Sequence, residues 1–164
     1  MRTRTSTWFE CKIRYDKMME DGMQKKITEL YVVDALSFTE AESSIIDEMS
    51  AYISGEFEVR DIKKAPYGEI FFSEDASADR FFKAKLQFIT IDEKTEKEKR
   101  SNVNYLVHAN TFNQAVANID KVMGTTAIDY VIASVAETQI IDVFEHNSAA
   151  KLKKEEPNDV PEYE

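Results

Sequence analysis

The sequence is poor in the residues on which many functions depend. One cysteine in 164 residues excludes a disulfide within the chain and makes a reducing cytosol the expected setting. That residue, Cys11, falls on the apolar side of an alternating stretch and reads as a small core residue rather than a nucleophile. Four glycines leave no Gly-rich loop to cradle a phosphate. The two histidines, His108 and His146, stand without an HExxH or a Cys cluster, and no GxSxG is present. Acids are plentiful, but Asp92, Glu93, Glu96 and Glu98 fall in one polar loop and read as solvated. The expectation is therefore no enzyme, no cofactor and no metal. No window approaches eighteen uncharged apolar residues, so no membrane helix is expected. The start, MRTRTSTWFECKIRY, is basic but lacks the apolar segment of a secretory signal, which again predicts a cytoplasmic protein. Positive charge is scarce as well. With 21 basic and 31 acidic residues the net charge is −10, which opposes binding to polyanions unless cations gather on one face.

What the chain does have is repetition. VDALSFTEA (residues 33–41) returns as VHANTFNQA (residues 107–115), 74 positions later. WFECKIRY lies over FFKAKLQF at a spacing of 73, and Tyr31 lies over Tyr105 at 74. Ile45 matches Ile119 and Met49 matches Met123, and FEVRDIKKAPYGEIF lies over YVIASVAETQIIDVF. Each copy opens with period-two alternation, the mark of a half-buried strand. Phe9, Cys11, Ile13 and Tyr15 alternate with Trp8, Glu10, Lys12 and Arg14; Phe82, Ala84, Leu86 and Phe88 alternate with Phe81, Lys83, Lys85 and Gln87. A polar loop and a second strand follow, and then the repeated phrase, which starts a helix. Ser37 with Glu40, and Thr111 with Gln114, have the spacing of capping boxes. Phe38, Ala41, Ile45, Met49 and Tyr52 make an apolar stripe at helical spacing, as do Phe112, Ala115, Ile119 and Met123. Gly55 and Gly124 stand where a left-handed residue ends many helices. Two further strands complete each copy, with Pro66 at the turn between those of the first.

The expected fold class is α+β: internally duplicated ββαββ units, antiparallel sheets each with one helix packed on a face. A single duplicated domain spans residues 1–145, with copy one at 7–73, copy two at 80–145 and a disordered acidic tail at 146–164. Between the helices four strands run in succession, which predicts an antiparallel meander under the second helix. The strands from both chain ends would then complete a second sheet.

One helix covers one face of such a sheet, and the other must be polar, paired with another subunit or used for binding. On that outward side copy one offers Trp8, Lys12 and Arg14, and copy two offers Phe81, Lys83 and Lys85. Rings that stack on bases beside cations that neutralise phosphates are the chemistry of single-strand binding. Tyr31 and Tyr105 extend the candidate site, and Arg2, Arg4, Lys25, Lys26, Lys63, Lys64, Lys94, Lys97, Lys99 and Arg100 are read as tail or loop residues that could form a basic rim. The expected function is nucleic-acid binding, single-stranded DNA in the first place. The alternative is a protein–protein module, either a homodimer or a phage- or mobile-element-encoded modulator of a host protein, which the acidic composition favours; a homo-oligomer is expected.

The last fourteen residues, KLKKEEPNDVPEYE, are charged and nearly free of apolar side chains, as disordered segments are. Their end resembles the acidic tip of bacterial and phage single-stranded-DNA-binding proteins, with Asp159, Val160, Pro161 and Tyr163 as the matching residues, although glutamates follow both the proline and the tyrosine. That resemblance implies docking of replication and repair proteins. At the scale of the chain, WFECKIRYDKMMEDGMQKKITE, YVVDALSFTEAE and KAKLQFITIDEK resemble an uncharacterised family of Bacteroidetes, their phages and mobile elements, which implies no activity. The strand and helix order is similar to that of the Whirly and Pur-repeat single-strand binders, a likeness of topology only.

Overall fold

The computed structural model describes residues 1–146. Long hairpins open both copies. In the first, β2 (Trp8–Met18) pairs antiparallel with β3 (Gln24–Asp34) around Gly22, whose φ of +80° is a conformation that glycine adopts at little cost. In the second, β6 (Arg80–Ile91) pairs antiparallel with β7 (Glu98–Ala109). Each hairpin leads into a helix, α1 (Phe38–Tyr52) or α2 (Phe112–Met123). Ser37 Oγ accepts from Glu40 N at 3.1 Å and Thr111 Oγ1 from Gln114 N at 3.1 Å, so both caps form as expected. The return bonds differ. Glu40 Oε2 accepts from Leu36 N at 2.9 Å, one residue before the cap, whereas Gln114 turns to Asn118 at 2.8 Å and leaves its box half closed. The glycine expectation fails. Ile53 caps α1 in an extended conformation, and Gly124 ends α2 with φ −65°, a right-handed value.

The meander does not form. After α1 come β4 (Phe57–Lys64) and β5 (Glu69–Phe72), and after α2 come β8 (Asp129–Glu137) and β9 (Ile140–Phe144). A short β1 (Arg2–Thr5) precedes everything. One sheet has the order β4-β2-β3-β9 and the other β1-β5-β7-β6-β8. The last strand of each copy has therefore crossed into the sheet of the other copy: β5 lies beside β7, and β9 beside β3. Pro66 marks a link between sheets rather than a hairpin turn. Because β5 runs parallel to β7, the five-stranded sheet is mixed and not antiparallel throughout. The fold is α+β, with one helix packed near each sheet.

The chain divides into two compact units whose membership cuts across the repeat. One contains Met1–Ser6 and Ala65–Ile141; the other contains Thr7–Lys64 and the chain from Asp142. In the first, Phe82, Ala84, Leu86, Tyr105 and Val107 pack with Ala115, Ile119 and Met123 of α2. In the second, Phe9, Cys11, Ile13, Tyr31 and Val33 pack with Ala41, Ile45 and Met49 of α1. Each large side chain buried this way contributes about 1.5–3 kcal/mol. The helix stripes match the expected ones except at their ends, where Phe38, Phe112 and Tyr52 are exposed.

Candidate nucleic-acid interface

In each sheet the helix packs on one side, and the second face consists of the alternate strand residues. On the four-stranded sheet that face carries Trp8, Glu10, Lys12 and Arg14 from β2. On the five-stranded sheet it carries Phe81, Lys83, Lys85 and Gln87 from β6. The expected alternation is present, but the expected exposure of the rings is not. Trp8 is 1% exposed and Phe81 4%. The Phe81 ring lies on the His108 imidazole at 4.8 Å, and Trp8 Nε1 is buried without a hydrogen-bond partner among the described residues. Neither ring can meet a base while the fold is intact.

Tyr31 and Tyr105 are corrected as well. They lie on the helix sides, 8% and 7% exposed, where Tyr31 stacks on Phe144 at 5.7 Å and Tyr105 packs against Phe71 at 4.6 Å. Burial, followed by the charge of Glu29, pushes the Tyr31 phenol above its ordinary range. Burial likewise raises that of Tyr105, with Glu69 adding to it.

The cations separate by sheet. On the four-stranded sheet Lys12 stands directly opposite Asp61 and Arg14 opposite Glu58, while Lys63 Nζ reaches buried Glu10 at 3.8 Å. This face is balanced and presents no basic stripe. A cleft of about 470 Å³ beside it sets Arg14 and Lys26 against Asp16, Glu56 and Glu58. The five-stranded sheet differs. Its second face holds Lys83, Lys85 and Arg100, and adds Arg2 and Arg4 from β1, which pair across β5 with Phe72 and Ile70. Arg2 lies 4.2 Å over the Phe72 ring, Lys83 points to Tyr67 at 5.9 Å, and Arg100 donates to Gln87 at 3.3 Å. Among the described strand residues on this face the acids are Glu98, which accepts from Arg100 at 3.3 Å, and Asp129. Gln87, Asn102 and Asn104 supply neutral donors and acceptors, with Gln87 bonded to Asn102 at 3.2 Å. Around Phe81, Leu106 and Ile70 the face is buried; from Lys85 toward Ile91 it is open.

Sequence reasoning therefore assigned Lys83 and Lys85 to the face on which they lie and misplaced their neighbours. Arg2, Arg4 and Arg100 lie in strands rather than in tail or loop, as do Lys25 and Lys26 in β3, Lys63 and Lys64 in β4, and Lys99 in β7. The missed signal was the alternation of Arg100, Asn102 and Asn104 with Ser101, Val103 and Tyr105 along β7. Asp159, Val160, Pro161 and Tyr163 lie outside the described residues. Among the described residues no group of three or more His, Cys, Asp or Glu side chains could hold a metal, and no helix is long and apolar enough to cross a membrane.

Charge is distributed as unevenly between the units as between the faces. The unit of Met1–Ser6 and Ala65–Ile141 carries ten basic and eleven acidic side chains. In the other, the described residues carry eight basic and fifteen acidic ones.

Fold and face together define a duplicated α+β protein in which two helix-backed sheets exchange their last strands and one sheet carries five cations on its second face, Arg2, Lys85 and Arg100 exposed and Arg4 and Lys83 half-buried. The chain belongs to the family described as a domain of unknown function (DUF4494), which it matches over residues 7–146. Comparison with curated proteins and with solved structures finds no match.

Proposed function

We propose that the protein binds nucleic acid, single-stranded DNA in the first place, through the open side of its five-stranded sheet. The observation that carries this reading is the placing of Lys83, Lys85, Arg100, Arg2 and Arg4 on one face of an otherwise acidic chain, with Lys85 and Arg100 on its open part and Lys83 and Arg4 at its covered end. With the rings buried, affinity comes from phosphate neutralisation and from the amides of Gln87, Asn102 and Asn104 rather than from stacking. The reading carries a cytoplasmic setting and a non-enzymatic role. It keeps the acidic segment with Asp159, Val160, Pro161 and Tyr163 as a contact for replication or repair proteins, in keeping with a home in Bacteroidetes, their phages or mobile elements.

The test is fluorescence anisotropy of a labelled oligothymidine with the full chain at low salt. Replacing Lys85 and Arg100 together by glutamate should weaken binding at least tenfold. Lys12→Glu with Arg14→Glu, on the balanced face, should change it far less. Equal losses from both pairs, or no binding by the wild-type protein, would overturn the assignment.

A second reading has its own support: the acidic unit, with fifteen acids against eight bases, suits a basic partner protein. It predicts a complex that survives nuclease treatment of a lysate and is unaffected by the Lys85 and Arg100 reversals.

A further inference from the structure

The two sheets have four edge strands among the described residues, and a sheet edge presents unpaired backbone groups to any extended chain that can reach them. Three of the four carry the features that discourage pairing. β1 has four residues, two of them arginine. β9 has five, with Asp142 at its centre. β4 has eight, and Glu58, Arg60, Asp61, Lys63 and Lys64 charge it along most of its length. β8 is different. It has nine residues, and from Tyr130 to Ala136 none is charged.

The contrast with β4 is informative because β4 and β8 are the same element in the two copies, 73 positions apart, each pairing with the first strand of its hairpin. Arg60 corresponds to Ala133, Asp61 to Ser134 and Lys63 to Ala136. Both strands carry an irregularity at Arg60 or Ala133, so that feature does not separate them. What separates them is charge. Ala133, Ser134 and Ala136 are all exposed, so the edge they form is open.

We propose that β8 is the surface on which two copies of this chain pair, antiparallel and edge to edge. A second β8 is the occupant that the charge pattern fits, since it brings an equally uncharged run of the same length. Where Tyr130 faces Val135 of the other copy, Val131 faces Ser134 and Asp129 faces Ala136. Helix-side residues then meet helix-side residues, and no acid stands opposite another. Glu137, at the end of the strand, is already met by Arg80 at 3.6 Å. The result is one ten-stranded sheet whose basic faces lie on the same side, with the two β6 strands about 14 Å apart across three strand spacings. The pairing stands whether or not that face binds nucleic acid, and its test needs none.

Sedimentation velocity of the full chain from micromolar to near-millimolar concentration should show a monomer–dimer equilibrium. Giving β8 the charges of β4, by Ala133→Arg, Ser134→Asp and Ala136→Lys together, should leave a monomer with an unchanged circular dichroism spectrum. A wild-type chain that stays monomeric over the range, or a folded variant that still dimerises, overturns the proposal. Should the variant unfold, hydrogen exchange of the wild-type chain decides: β8 amides should gain protection as concentration rises, and protection independent of concentration refutes the pairing.

Discussion

At position 34 the first copy has aspartate, and at the equivalent position 108 the second has histidine, a mismatch that suggests nothing when the two are compared as letters. The structure gives them one task. Asp34 Oδ1 accepts from His146 N at 2.6 Å, and His108 Nδ1 accepts from Ser73 N at 3.3 Å. His146 and Ser73 are themselves equivalent, each two residues beyond the strand position shared by Phe144 and Phe71. Each copy thus ends its second strand with an acceptor that clasps the strand arriving from the other copy. His108 Nε2 meets the Ala78 carbonyl at 2.9 Å, so the imidazole's other nitrogen is left free to accept. What repeats is the acceptor, not the residue, and so the pair was invisible until the strands were in place. Trp8 and Phe81, by contrast, were legible as equivalents but misread as exposed. Alternation assigns residues to two faces and does not say which face is covered. Their burial reverses the stacking expectation. Trp8→Ala and Phe81→Ala should each cost about 3–5 kcal/mol of stability in chemical denaturation. Trp8→Phe, which copies the second half and removes an indole N–H with no partner among the described residues, should cost far less; a loss as large as that of the alanine variant would contradict this account of the site.

Local signals served well at the scale of the element. Both hairpins and both helices were read from period-two and helical spacing, and the caps at Ser37 and Thr111 form as the sequence indicates. Ser37→Ala and Thr111→Ala should each lower stability by about 1 kcal/mol. Glu40 offers a further comparison, since it closes its box onto Leu36 N whereas Gln114 does not close its own. Glu40→Ala should therefore be the more costly of the two alanine changes at these positions in thermal melts, and a greater loss from Gln114→Ala would count against it. Strand partnership was out of reach of such reasoning. Every strand between the helices was legible, but which sheet each joins depends on non-local pairing, and the crossing of β5 and β9 has no local signature. The charge of the faces was hidden for the same reason. Lys12 and Arg14 looked as promising as Lys83 and Lys85 until β4 set Asp61 and Glu58 opposite them.

For the whole molecule, the strand exchange makes each compact unit depend on both halves of the sequence. Its core also sets an alkaline limit. Burial, reinforced by the charges of Asp61 and Glu10, pushes the Cys11 thiol up to about 12 from an ordinary value of 9.0. Burial and the hydrogen bond to Glu29 raise Tyr15 to about 12, and the hydrogen bond to Asp120, at 2.7 Å, raises Tyr130 to about 12, both from 10.0. In each case the protonated form is favoured by folding. The stabilisation is therefore complete below the ordinary value and is lost as pH climbs through about 12. Melting temperature should fall progressively between pH 9 and 12, and an unchanged value at the top of that range would show these groups to be unlinked to folding.

The claim on which the functional account rests is that one sheet face, and not the acidic chain as a whole, meets the phosphates. Measuring oligothymidine affinity of the full chain across a series of salt concentrations tests this most directly. Five cations at most take part, so the logarithm of the association constant should fall linearly with the logarithm of salt, with a slope no steeper than about −3.5 for a single strand, and the Lys85→Glu, Arg100→Glu variant should show a shallower one. An affinity that does not respond to salt, or a slope that the two reversals leave unchanged, would contradict it.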